Sequence, residues 1–193
     1  MRQLLVSCNV TVDGYMAGPD NGFASSEDFA VPDAQQESDL AAQFDEVADT
    51  IVIGHRTFLA MQAAWSPLHS DMANWINASA KVVLSRQSDL DVSVWNNSSL
   101  AVGDGPEQVQ RLKSVDGAAL VAFGGVETIR SLTAADLVDE YWLKVMPVAI
   151  GAGSSFFSEI PRRHDLTLTD AKGYPSGVLD LKYRRGQSRT VNA

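Results

Sequence analysis

The chain is short of cysteine, histidine, positive charge and long apolar runs. Cys8 is its one cysteine in 193 residues. A single thiol excludes an internal disulfide framework and a cysteine-based zinc site. Cys8 lies inside an apolar run and reads as a small buried core residue. His55, His69 and His164 are far apart and show no metal-ligand spacing, so no metal is expected. Lys and Arg number 15 against 24 acidic residues, a net charge of −9. Without a basic surface, nucleic-acid binding is not expected, although a local basic pocket for a small anion stays open. No apolar run approaches the roughly 20 residues that span a bilayer. The N-terminus lacks the apolar segment and small-residue cleavage site of a signal peptide and reads as a first strand. A cytoplasmic protein without membrane contact is expected.

What the chain does have is alternation of element types. There is no internal repeat or low-complexity segment, and the length fits one domain over residues 1–185, with a polar tail at 186–193. Residues 2–12 read as a strand. Residues 13–32, with three glycines and two prolines, read as a long loop of the functional or mobile kind. Residues 34–48 carry Leu40, Ala41, Phe44, Val47 and Ala48 at helical spacing. Strands follow at 50–54, 81–85 and 118–123, and helices at 55–63, 70–78, 106–115 and 125–134. Two short strands are expected in 92–102, around Asn96-Asn97. A long strand over 138–149 has Pro147 near its end, and 165–172 with 177–185 form a terminal hairpin around Tyr174-Pro175-Ser176-Gly177. Strand-helix alternation predicts an α/β fold in three layers: a mixed, mostly parallel sheet, helices on both faces, and a C-terminal antiparallel hairpin.

In such sheets ligands bind beyond the carboxyl ends of the strands. Three strand ends here carry anion-binding chemistry. In Val121-Ala122-Phe123-Gly124-Gly125-Val126-Glu127 an apolar run meets two glycines and then a helix. Glycine clears room for a phosphate, and the first helical N–H groups are free to bind it; a simple tight turn is the other reading. Ile53-Gly54-His55-Arg56-Thr57 repeats the pattern, with a hydroxyl and a planar guanidinium fork. Leu84-Ser85-Arg86 adds a second hydroxyl and a second arginine. Each alone is an ordinary helix start or surface arginine. Together, two arginines beyond a pyrophosphate-binding helix suggest an extra ribose phosphate, the basis of NADP preference over NAD.

These motifs carry a resemblance. The segments 9–19 (NVTVDGYMAGP), 53–58 (IGHRTF), 81–86 (KVVLSR), 123–125 (FGG), 138–143 (VDEYWL) and 146–153 (MPVAIGAG), with Phe156-Phe157 after them, occur in an order that resembles the dihydrofolate reductase superfamily. Within it, the chain is most similar to stand-alone bacterial proteins related to the reductase domain of riboflavin biosynthesis. The resemblance spans nearly the whole chain and implies NADPH bound across the strand ends. It implies that Gly54, His55, Arg56 and Thr57 hold the adenosine-side phosphates, that Ser85 and Arg86 lie near the 2′-phosphate or adenine, and that Gly124, Gly125, Val126 and Glu127 lie under the pyrophosphate. Val10, Met16, Ala17 and Gly18 would border the nicotinamide, with Ile53, Leu84 and Phe123 as the last strand residues beside the cofactor. Glu127 would favour the helix dipole or bond a ribose hydroxyl. Relatives of this type are often homodimers, and the strand-rich C-terminal third could supply the interface.

Hydride chemistry belongs to the cofactor, so the protein must orient the substrate and protonate it. Asp13 faces the expected nicotinamide end, or is a turn aspartate before Gly14. Asp39 lies where the resemblance places a substrate acid, or on a solvated helix face beside Glu37 and Asp45. Three departures bear on the substrate. Phe123 stands where the riboflavin-pathway reductase has a carboxylate, no deaminase-type zinc spacing is present, and Gly18-Pro19-Asp20 replaces a loop tryptophan of true dihydrofolate reductases. Trp65, Phe23 and Phe29 shape a pocket or pack the core. The expected function is NADPH-dependent hydride transfer to a small heterocyclic (pterin- or pyrimidine-like) or carbonyl substrate. A true dihydrofolate or pyrimidine reductase, and a non-catalytic nucleotide-binding protein on the same fold, are the alternatives.

Overall fold

A computed structural model of the chain describes residues 1–19 and 29–186. Phe23, Asp20 and residues 187–193 of the expected tail lie outside the described residues. The strands are β1 (Leu4–Thr11), β2 (Ala48–Gly54), β3 (Ala80–Ser85), β4 (Ser98–Val102), β5 (Ala119–Phe123), β6 (Glu140–Met146), β7 (Leu166–Gly173) and β8 (Leu179–Arg185). The helices are α1 (Ala34–Val47), α2 (His55–Trp65), α3 (Asp71–Ala78), α4 (Gly105–Ser114) and α5 (Val126–Ala134). One sheet runs β4-β3-β2-β5-β1-β6-β8-β7. It is parallel from β4 to β6 and antiparallel where β8 joins β6 and β7.

Side-chain alternation along the strands feeds two cores. Leu5, Ile51, Ile53, Val83, Val121 and Phe123 face α1, α2 and α3, where Phe44, Phe58 and Trp75 meet them. Leu4, Val6, Cys8, Val52, Leu120 and Ala122 face α4 and α5, packing on Val109, Ile129 and Leu132. The expected three layers are present. Cys8 is a buried core residue, and its thiol is pushed up to about 12 by burial.

Local structure follows the chain chemistry at most element ends. Asp33, Ser70 and Asp104 each accept a hydrogen bond from the third residue beyond them, capping α1, α3 and α4. The Tyr174–Gly177 turn closes with Gly177 N–H donating to Tyr174 O at 2.9 Å, and Gly177 takes φ +89°.

Two expected elements differ. Residues 92–102 hold one strand, β4, because Trp95 is drawn into the core and Asn97 turns the chain at φ +62°. The strand expected over 138–149 ends at Met146. Pro147 has no N–H to donate, and Val148 N–H folds back to Met146 O at 2.7 Å.

Lys81 is the unusual buried group of this half. It is fully buried, and its ammonium donates to the carbonyls of Asn77, Ser79 and Asn96 at 3.2, 2.8 and 3.1 Å while lying over the Trp95 ring. It thereby satisfies the end of α3 and fixes the turn before β4. Replacing Lys81 with Met leaves these carbonyls without their donor, and the expected loss is about 3 kcal/mol. Burial moves the Lys81 pKa down to about 8 from 10.5. Between those values the unfolded chain holds one more proton than the folded one, so this group makes stability rise with pH. Melting curves from pH 7.5 to 10 should show the native chain gaining on Lys81→Met; parallel curves would contradict the assignment.

Candidate cofactor and substrate site

The strand register gathers the three expected strand ends. Gly54 at the end of β2 pairs with Leu84 of β3, while β5 lies on the other side of β2 and ends at Phe123. Helices α2 and α5 therefore start side by side. Their caps, Gly54 and Gly125, provide no side-chain cap bond. Two sets of first-turn N–H groups are thus left without a side-chain cap at one sheet edge.

The glycines are needed for space. A Cβ on Gly54 would lie 2.5 Å from Thr128 Oγ1, and one on Gly125 would lie 2.8 Å from Thr57 Oγ1. Gly124 and Gly125 both adopt positive φ, +52° and +73°. The Thr57 and Thr128 hydroxyls thus converge on the two glycines, and a side chain at either glycine would displace one of them. Thr128 was not singled out from the sequence; its signal was a hydroxyl in the first turn after Gly-Gly.

The other expected cofactor residues fall into two groups. Arg56 and Arg86 are exposed beyond adjacent strand ends, and neither makes an ion pair among the described residues. His55 and Val126 are half-buried at the same edge. Ser85 is buried, and its Oγ accepts from Gln87 N–H at 2.9 Å, leaving its proton to donate. Glu127 is exposed and paired with Arg130 at 2.8 Å. Ile53, Leu84 and Phe123 differ: their side chains belong to the cores. They can border a ligand through backbone alone. Val10, Met16, Ala17 and Gly18 are buried together beside β1.

Asp13 ties two loops together. Its carboxylate accepts from the backbone N–H groups of Ile150 and Gly151, at 3.1 and 2.8 Å, and from the Thr11 hydroxyl. The Thr11 bond first, then the backbone bonds, hold its pKa below the usual range. Beside it, Ala17 and Ser154 form a two-way bridge, closing the 13–18 loop on the 150–155 loop. Asp39 is likewise engaged. It accepts from Lys172, from Gln35 at 2.9 Å and from the Tyr174 hydroxyl at 3.0 Å, and the Lys172 bond leads in lowering its pKa. Both carboxylates are ionised and occupied, which suits positioning and not proton donation. Trp65 packs half-buried against the α1–α3 core, and Phe29 is buried with Met146 and Val178.

A second polar row lies on the α1 side of the sheet. Register places Asn9, Lys144 and Asp180 side by side on β1, β6 and β8. Gln36 of α1 donates to both oxygens of Asp180, at 3.0 and 2.9 Å. Burial raises the Asp180 carboxyl and lowers the Lys144 ammonium. The Ser7 hydroxyl and the Asn9 amide oxygen are buried on this face without a hydrogen-bond partner among the described residues. None of these residues stood out in the sequence, because only strand register makes them neighbours.

Among the described residues no helix is long and apolar enough to cross a membrane, and no cluster of His, Cys, Asp or Glu could hold a metal. The chain is similar to the uncharacterized protein YyaP of Bacillus subtilis, with 26% identity over 190 residues, covering 94% of each chain. Its fold is similar to that of a putative riboflavin biosynthesis protein from Shewanella sp. PV-4, with a TM-score of 0.74 at 18% identity over 96% of this chain and 99% of that one. The dihydrofolate reductase of Enterococcus faecalis, solved with NADP(H), shares the fold at a TM-score of 0.64 and 16% identity, covering 96% and 97%. Residues 2–179 match the RibD C-terminal domain, and the chain belongs to that family, on a dihydrofolate reductase-like α/β fold.

Proposed function

We propose that the protein is an NADPH-dependent reductase of a small heterocyclic or carbonyl substrate. The observation that carries this is the paired glycine floor. Gly54 and Gly125 sit where any Cβ would meet the Thr128 or Thr57 hydroxyl, at the starts of two helices without side-chain caps. That geometry fits a pyrophosphate, which would be held by the first-turn N–H groups and both hydroxyls. Arg56 and Arg86, exposed and free of ion pairs, fit a 2′-phosphate beyond adjacent strand ends. When bound, NADPH supplies the hydride, and the chain supplies orientation and charge stabilisation. The sheet face between β1 and α1, with its unpartnered polar atoms, is the place for the substrate.

The test is differential stabilisation. A ligand at 100 times its Kd stabilises by about 2.7 kcal/mol, a shift of several degrees for a domain of this size. NADPH should raise the melting temperature more than NADH at equal concentration. The Arg56→Ala, Arg86→Ala double variant should lose most of that preference, at least tenfold in the ratio of the two Kd values. No shift with either nucleotide rejects the cofactor assignment. A preference that survives both substitutions removes the arginines from 2′-phosphate recognition. Tight NADPH binding with no oxidation across a broad panel of acceptors would leave a non-catalytic nucleotide-binding protein.

A further inference from the structure

We propose that Lys144 is the proton donor of this site and that the substrate is therefore a neutral carbonyl compound. This rests on the reductase reading above. The geometry starts from register. Ser7 pairs with Phe123 on one side and Trp142 on the other, so Asn9 and Lys144 stand one row further, level with the Gly124-Gly125 turn. Two strand spacings separate that turn from β6, roughly 10 Å. A nicotinamide ring can cover that span from a pyrophosphate at Gly125.

Lys144 is half-buried, and no hydrogen bond or ion pair engages its ammonium among the described residues. Its neighbours on the same face are spoken for. Asp180 is bonded by Gln36, while Asp39 takes Lys172 and Tyr174. Lys182 bonds Gln43 and lies over the Trp142 ring. Ser7 Oγ and Asn9 Oδ1 are buried and without a partner. A free cation beside two unmet polar atoms is an arrangement that a polar ligand completes. Burial favours loss of the Lys144 proton, and the Asp180 and Glu37 carboxylates oppose it.

The chemistry selects the acceptor. Hydride from the reduced nicotinamide adds to the carbonyl carbon, and the C=O π pair becomes a lone pair on oxygen. The Lys144 N–H bond breaks, and its proton joins that oxygen to give the alcohol. The nicotinamide is oxidised, the carbonyl is reduced, and the neutral amine regains a proton from water. A cation at this position stabilises negative charge developing on oxygen. It repels an imine that reaches the site already protonated.

The experiment uses the full chain, with isatin and menadione as carbonyl probes and 7,8-dihydrofolate as the imine probe. NADPH oxidation is followed at saturating cofactor. The native protein should turn over a carbonyl probe and not dihydrofolate. Lys144→Met should lower kcat about 10²-fold and keep the melting-temperature rise with NADPH. Lys144→Arg keeps the charge but cannot give up its proton near neutrality. It should recover binding of the probe, seen in KM, while kcat stays low and its high-pH decline disappears. Dihydrofolate turnover, no carbonyl turnover by protein that binds NADPH, or an unchanged kcat in Lys144→Met would each overturn the proposal. A native protein that NADPH does not stabilise would instead defeat the reductase reading, and this proposal with it.

Discussion

Gly125→Val is expected to abolish NADPH binding, raising its Kd more than about 100-fold, in a protein that still folds. Gly125 sits at φ +73°, where a β-branched residue is a genuine outlier. Its new Cβ would lie 2.8 Å from the Thr57 hydroxyl, on the floor between α2 and α5. The backbone must move to relieve both, and the first N–H groups of α5 are re-aimed with it. Strain of this kind costs of the order of 1–3 kcal/mol. Gly177→Val separates the two effects. Gly177 also has positive φ, +89°, in the turn between β7 and β8, and its Cβ position meets only side-chain atoms of Pro147 at 3.3 Å. That variant should lose comparable stability and still be stabilised by NADPH. Isothermal titration of both proteins is the measurement; a Gly125→Val protein with native affinity would remove the glycine floor from cofactor binding.

Phe44→Ala is expected to cost about 3–5 kcal/mol, the range for a large aromatic side chain in a core. Phe44 is fully buried on α1. Its ring stacks on Trp75 and Trp142 with centroids 4.9 and 5.3 Å away, and meets the edge of Phe123 at 5.6 Å. It therefore joins α1, α3, β5 and β6 in one cluster. At roughly 2–4 °C per kcal/mol for a chain of this length, the melting temperature should fall by about 10 °C. The effect reaches the site, because Phe123 is the last strand residue before Gly124. NADPH affinity should fall with stability. A loss below about 1 kcal/mol in denaturant unfolding would show that the cluster closes over the gap.

The strand ends proposed to hold the cofactor were legible because each is local in the chain. Strand, glycine and helix follow one another within a few residues at Ile53–Thr57 and Phe123–Glu127. Only Thr128 escaped, and it lies one residue beyond the second motif. The polar row proposed to meet the substrate was not legible, because its members are remote from one another. Asn9, Lys144 and Asp180 become neighbours through strand pairing alone. Asp13 finds its backbone partners 137 and 138 residues away, and Asp39 finds Lys172 and Tyr174 at a similar remove. Both carboxylates are catalytic candidates from the sequence, where such partners cannot be seen. In the same way Asn97 and the core position of Trp95 reduced two expected strands to β4.

By itself the sequence determined the α/β layering, the strand and helix order and the three anion-suited strand ends. These depend on periodicity, glycine and local side-chain chemistry, which act over a few residues. Tertiary structure alone decided which polar groups are satisfied and which are left free. A side chain's partners depend on strand register, and a one-residue slip moves every side chain to the other face. That is why Lys144, an unremarkable strand residue in the chain, stands level with the glycine turn without an ion pair among the described residues.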